Sequence, residues 1–323
     1  MKRAILPLAT LILLILLSGC ELFIEKPEAG KVYAILVALD YTYSIQDTLT
    51  GTLPDARELN RAWEAVTAKA QGEKEYHGYL FLQEGGTTTT TKTVTIGNTA
   101  PVNTFPTKAN LLKAFENLES IATPNDLIIF TYSGHGSPLG ELLLAEEGEK
   151  TNDNVAASTF LEALSQVPGR KLMILDTCYS GLSIPESGAS HSTLLNNNIS
   201  KWYKKYWDSS RYTKPEVFVL TASTDTKSYE EEITNEHRHG LFTFALLDAL
   251  GWKHPHDDYA SIPLASLPIP PAAKESILSA DSLYTYVKDY KSTNKWIKYF
   301  SSFSQGQHPM VSGGALDMVL FTF

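Results

Sequence analysis

The sequence predicts an α/β fold, a mostly parallel twisted sheet of about six strands with helices on both faces, and three observations carry that expectation. Residues 31–39, 126–132, 171–175 and 216–222 are near-continuous apolar runs of strand length, the composition of strands buried on both faces. Segments 54–70, 107–118, 159–164 and 240–250 carry apolar residues at helical spacing. The two signals alternate along the chain, as they do in parallel sheets wound by right-handed crossovers. Of the 323 residues, 43% are hydrophobic and 20% charged, with a formal net charge of -9. That is an acidic globular composition, and it carries no basic stripe that could track phosphates, so nucleic acid is not expected as a partner.

The chain opens with Met1-Lys2-Arg3 and an apolar run over residues 4–17. As a helix that run reaches roughly 21 Å, short of a hydrocarbon core of about 30 Å, so it is expected to be a cleaved export signal. Residues 20–30 contain Pro27 and little periodicity, and are expected to be a tether. The first buried strand follows at 31–39, then a helix with Leu59, Ala62, Trp63, Val66 and Ala70 on one face. A second strand is expected at 79–83. The Thr- and Gly-rich stretch near 85–104, with alternation suited to a hairpin, stands as an insertion. Thr107 is placed to cap the next helix, whose Leu111, Phe115 and Leu118 face inward.

Thr159 to Glu162 has the form of a capping box, opening a helix that Gly169 ends. Residues 182–215 are long and polar, with Lys201, Lys204, Lys205 and Arg211, and form a second insertion. After the strand at 216–222 comes a helix from Gly240. Five prolines make the third insertion, near 254–280, irregular at least to residue 273. Asp281 or Ser282 is expected to cap a last helix carrying Leu283, Tyr286, Val287 and Tyr290, and 317–321 to be the final strand. The domain itself is expected to span 31–323.

Two motifs end apolar runs: Ser133-Gly134-His135-Gly136 and Asp176-Thr177-Cys178-Tyr179-Ser180-Gly181. Strand carboxyl ends in parallel sheets form the ligand crevice, so a His leaving one strand and a Cys leaving another can meet there. If the pleat persists, Ser133 shares a side with His135, and Asp176 with Cys178. A free thiol has a pKa of about 8.5, so a nucleophilic Cys178 needs a base such as His135. The pair of motifs resembles the caspase-like cysteine peptidases, specifically their metacaspase branch. The Gln-Ala-Cys signature of animal caspases is absent, Asp176-Thr177 standing in its place. Gly240 to Thr243 and Gln307-His308-Pro309 resemble later segments of that family.

The resemblance implies a caspase-like fold and a cysteine endopeptidase in which Cys178 attacks and His135 protonates the leaving amine. The backbone N–H groups of Cys178 and Gly136 would hold the oxyanion. Gly134 and Gly136 would let a substrate carbonyl approach the backbone. No third member of a triad is assigned. It further implies a substrate with Arg or Lys before the cleaved bond, bound by Asp55, Ser133 and Asp176, and a processing linker after the Cys; a solvated insertion fits that last segment equally. Calcium activates many metacaspases. Glu146, Glu147, Glu149 and Asp153, however, fall at no spacing that maps onto a ligand cluster and read as a solvated loop, so no metal or cofactor is assigned. A second class stays open: a catalytically inactive caspase-like domain acting as a lipid-anchored binding or scaffold protein.

Leu17-Ser18-Gly19-Cys20 resembles the bacterial lipobox, which implies a cleaved lipoprotein signal over 1–19 and a lipid on Cys20 that holds the chain to a bilayer. Glu21, in place of an Asp, points to the outer membrane. The sequence has two cysteines, so Cys178 would be the mature protein's one thiol, without a partner for an internal disulfide.

Overall fold

The computed structural model describes residues 30–72, 74–137, 141–178, 217–222, 228, 230–234, 237–252, 261–290, 310–312 and 318–323, with backbone alone for 178, 231–234, 237 and 310–312. Expectations for Cys20, most of the tether, residues 179–215, 254–260 and Gln307-His308-Pro309 lie outside the described residues.

In the main sheet, β1 (Val32–Leu39) lies between the edge strand β2 (Tyr76–Gln83) and β5 (Leu127–His135). Outward from β5 come β8 (Arg170–Cys178), β9 (Val217–Thr221) and β13 (Met310–Ser312). Of these six strands β13 is antiparallel and the rest are parallel. Val32, Ala34, Leu36 and Ala38 pack on one face with Ile129, Leu172 and Ile174. Tyr33, Ile35, Val37 and Leu39 pack on the other with Ile128, Phe130, Met173 and Leu175. With both faces covered, a period of two leaves no position for a polar residue, which is why these strands are continuous apolar runs.

On the first face lie α1 (Thr52–Lys69), α4 (Leu241–Ala249) and α5 (Ala280–Lys288); on the second lie α2 (Lys108–Ile121) and α3 (Ala157–Gln166). Leu59, Ala62, Trp63 and Val66 of α1 are buried as their spacing predicts. Thr107 caps α2, its hydroxyl accepting the Asn110 N–H at 3.2 Å, and Leu111, Phe115 and Leu118 are buried. Phe130 of the sheet contacts Phe115 and Phe160 at centroid distances of 5.4 and 5.7 Å. Burying each such ring contributes on the order of 2 kcal/mol.

Several expectations are corrected. Thr159 caps nothing: α3 begins at Ala157 behind Ala156, without a side-chain cap, so the residues of the expected box already lie inside the helix. The cap of α5 is Ser279, which exchanges hydrogen bonds with Ser282. The acidic stretch before α3 keeps Glu146, Glu147 and Glu149 in an exposed loop as expected, but that loop is the turn of a β-hairpin, β6 (Glu141–Ala145) with β7 (Asn152–Ala156), and Asp153 lies in β7. The Thr-rich insertion holds the expected hairpin, reduced to β3 (Thr93–Val94) and β4 (Val102–Asn103). A further hairpin, β10 (Glu230–Thr234) with β11 (His237–Gly240), leads into α4. The last strand, β14 (Val319–Thr322), stands apart from the main sheet and pairs with β12 (Ile277–Ser279).

Candidate active site

In-register pairing of β5 with β8 sets His135 opposite Cys178, and two residues earlier Ser133 opposite Asp176. Neighbouring strands lie about 4.8 Å apart, so the four motif residues form a two-by-two block at the carboxyl edge of the sheet.

His135 is buried and held from several directions. Its Nε2 lies 2.7 Å from the Asp47 carbonyl, which only accepts, so Nε2 carries a hydrogen and Nδ1 is the ring nitrogen with the basic lone pair. Its backbone N–H donates to the Tyr41 hydroxyl at 2.8 Å, and the Tyr41 ring lies 4.5 Å from the imidazole. The hydroxyls of Tyr41 and Tyr132, 2.8 Å apart, share their protons with the carbonyls of Leu143 and His135. Burial pushes the Tyr41 phenol well above its usual range, so it stays neutral. These contacts correct the reason given for Gly134: a Cβ there would come within 2.5 Å of the Tyr41 hydroxyl and 2.7 Å of the Tyr132 hydroxyl. The glycine makes room for the tyrosines. Gly136 follows β5 in a bridge to Leu142, and the bond beside it is donated by Ser137 N–H to the Glu141 carbonyl at 2.8 Å, not by Gly136.

Asp55, Ser133 and Asp176 do come together. Asp55, buried in the first turn of α1, accepts the Ser133 hydroxyl at 2.8 Å, His239 Nδ1–H at 2.8 Å and Gly240 N–H at 3.2 Å. Asp176 accepts the Ser228 hydroxyl at 2.9 Å, the Thr243 hydroxyl at 2.7 Å and Thr243 N–H at 3.2 Å. The start of α4 thus turns its amide donors onto both carboxylates, the arrangement a helix N-terminus favours. A carboxylate has about four acceptor positions, so each retains capacity beyond its three donors.

Burial pushes the Asp55 carboxyl up to about 7 against the opposing hydrogen bond from His239. Asp176 and Glu230 are raised for the same reason, burial. Burial also works to lower His239, but its contacts with Asp55 and Glu58 outweigh that and carry it up to about 9.

Sequence reasoning missed the Asp47 carbonyl, Tyr41, Tyr132, Glu58, Ser228, His239 and Thr243. One signal was available. Asp55 and Glu58 are spaced to share a face of α1 with Leu59 and Ala62, and two acids on a buried helix face require a buried cation.

The model of the family described as the caspase domain matches residues 31–265. Metacaspase-1 of Kluyveromyces lactis is 34% identical over 119 residues, 32% of this chain and 27% of that protein. Metacaspase-1 of Debaryomyces hansenii is 25% identical over 189 residues, 53% of this chain and 38% of that protein. The chain therefore spans well under half the length of these relatives. Caspase-1 from Spodoptera frugiperda superposes with a TM-score of 0.42 at 13% identity, over 91% of this chain and 89% of that one, too loosely to argue from. The matched segment contains both strand ends and the carboxylates beside them, and on that basis the chain belongs to the caspase domain family, with metacaspases among its relatives.

Proposed function

We propose that this protein is a cysteine endopeptidase that cuts after Arg or Lys, with Cys178 as nucleophile and His135 as acid and base, held to a membrane through lipid on Cys20. The observation that carries the peptidase reading is the register of β5 against β8, which sets His135 and Cys178 opposite each other. His135 Nδ1 takes the thiol proton, and sulfur attacks the scissile carbonyl. Backbone N–H groups of Cys178 and Gly136 receive the oxyanion, and the imidazolium returns its proton to the leaving amine. Water then hydrolyses the thioester by the same route. The Asp47 carbonyl holds the imidazole in one tautomer throughout. Selection of a basic side chain is supported by the buried carboxylates Asp55 and Asp176 beside the register pair, both with acceptor capacity remaining.

The test uses matched peptides with Arg, Lys or Asp before the scissile bond, with and without calcium, and a thiol-directed acyloxymethyl ketone. Arg and Lys peptides should be cut, the probe should label the protein, and Cys178→Ala should abolish both. Preferential cutting after Asp would overturn the specificity. No cleavage and no labelling would overturn the enzyme reading and leave the lipid-anchored binding or scaffold protein.

A further inference from the structure

His239 is absent from both motifs, yet it lies at the centre of the carboxylate cluster. It is fully buried at the end of β11, between two acids of α1: Nδ1 is 2.8 Å from Asp55 Oδ1 and Nε2 is 3.2 Å from Glu58 Oε1. Nδ1–H donates to Asp55 and Nε2 stands within ion-pair distance of Glu58, an arrangement that favours the doubly protonated ring. Glu58 also accepts the Trp252 indole N–H, as a charged carboxylate would. The residue after it, Gly240, lies close to Asp55 and Asp176, and the Phe244 ring is 6.4 Å from the imidazole.

The charged groups around it come from every packed element. Asp55 and Glu58 face it from α1 and Asp176 from β8. Half-buried Glu230 stands on β10, where it accepts the N–H groups of Thr50 and Gly51, and exposed Arg238 is its neighbour on β11. Acids therefore outnumber cations around the buried ring. Buried carboxylates in that position protonate instead of staying charged, unless a cation is placed among them.

We propose that His239 is a specificity-determining residue: a built-in cation, locked between Asp55 and Glu58, that keeps Asp55 ionised beside Asp176 so that the pocket stays negative toward a substrate guanidinium or ammonium. The inference rests on the Arg or Lys reading above. It makes His239 a positioning residue, since it acts through Asp55. Without the ring, burial of Asp55 is opposed by the Ser133 hydroxyl and Gly240 N–H but by no adjoining cation. Its carboxyl holds its proton to higher pH, and the pocket loses a charge that a basic substrate would have met.

The experiment compares full-length wild type with His239→Gln, which keeps a hydrogen-bond donor and removes the charge, on paired peptides carrying Arg or its neutral isostere citrulline before the scissile bond, from pH 5.5 to 8.5. Wild type should prefer Arg and lose that preference as pH falls and Asp55 takes up its proton. In the variant the preference at pH 7 should fall by about tenfold or more, and the pH at which it is half lost should rise by about one unit or more. An unchanged ratio across the range overturns the role of His239 and leaves the specificity reading intact. A wild type indifferent to citrulline overturns the specificity reading, and this inference with it. Should His239→Gln fail to fold, NMR of wild type with labelled imidazoles decides: a buried ring doubly protonated at pH 7 supports the proposal, and a neutral one overturns it.

Discussion

Tyr41 takes φ of 59°, the left-handed region that a non-glycine residue enters at a cost of roughly 1 to 3 kcal/mol. What holds it there is the far end of its side chain, whose hydroxyl meets His135 N–H, Tyr132 and the Leu143 carbonyl. Tyr41→Phe should therefore leave the buried His135 N–H short of a partner, lowering stability by about 1 to 3 kcal/mol and turnover more than substrate affinity. Urea melts and steady-state kinetics on an Arg peptide check both, and an unchanged turnover would show that His135 needs no help from Tyr41. The residues legible in the sequence were those that chemistry names unaided: a His and a Cys ending apolar runs. Tyr41 and His239 were illegible because their partners lie 94 and 184 residues away and nothing local marks a tyrosine or histidine for such contacts.

At the scale of elements, the buried parallel strands were readable because a strand covered on both faces has no freedom to be polar. The hairpins β6–β7 and β10–β11 were not. Each contains acidic or amide residues that read as loop, and each is held by pairing with its own partner strand. Caps were legible where one residue competes and ambiguous where several do: Thr107 was found, whereas Asp281 and Ser282 were offered for the last helix and the backbone begins it behind Ser279. The junction of β11 with α4 is the tightest element boundary at the site. A Cβ on Gly240 would lie 2.3 Å from Asp176 Oδ2 and 3.2 Å from Asp55 Oδ2. Gly240→Ala should push α4 off both carboxylates and cost about 2 kcal/mol or more, read as a lowered urea midpoint, together with loss of Arg and Lys selectivity. Wild-type stability with wild-type selectivity would mean that α4 can move away freely.

For the whole molecule, the sheet class, five of its six strands and the distribution of helices follow from alternation of strand and helix signals, but the edge strand β13 does not. The last strong apolar run pairs with β12, while the short β13 joins the sheet. Three residues carry too little pattern to announce a sheet edge. Membrane attachment also belongs to this scale. Intact mass of the mature protein should show a chain beginning at Cys20 with several acyl chains, since one chain holds only marginally. A mature species without lipid mass would overturn the proposed membrane attachment. The sheet order has one more consequence, in time instead of space. His135 and Cys178 become neighbours only when β5 and β8 pair, and those strands are separated in sequence by the β6–β7 hairpin and α3. Parallel pairing of this kind forms late, because the chain entropy of a long crossover is lost before any contact is gained. An incompletely paired chain thus carries the thiol and the imidazole apart, and the proposed active site assembles only with completion of the sheet.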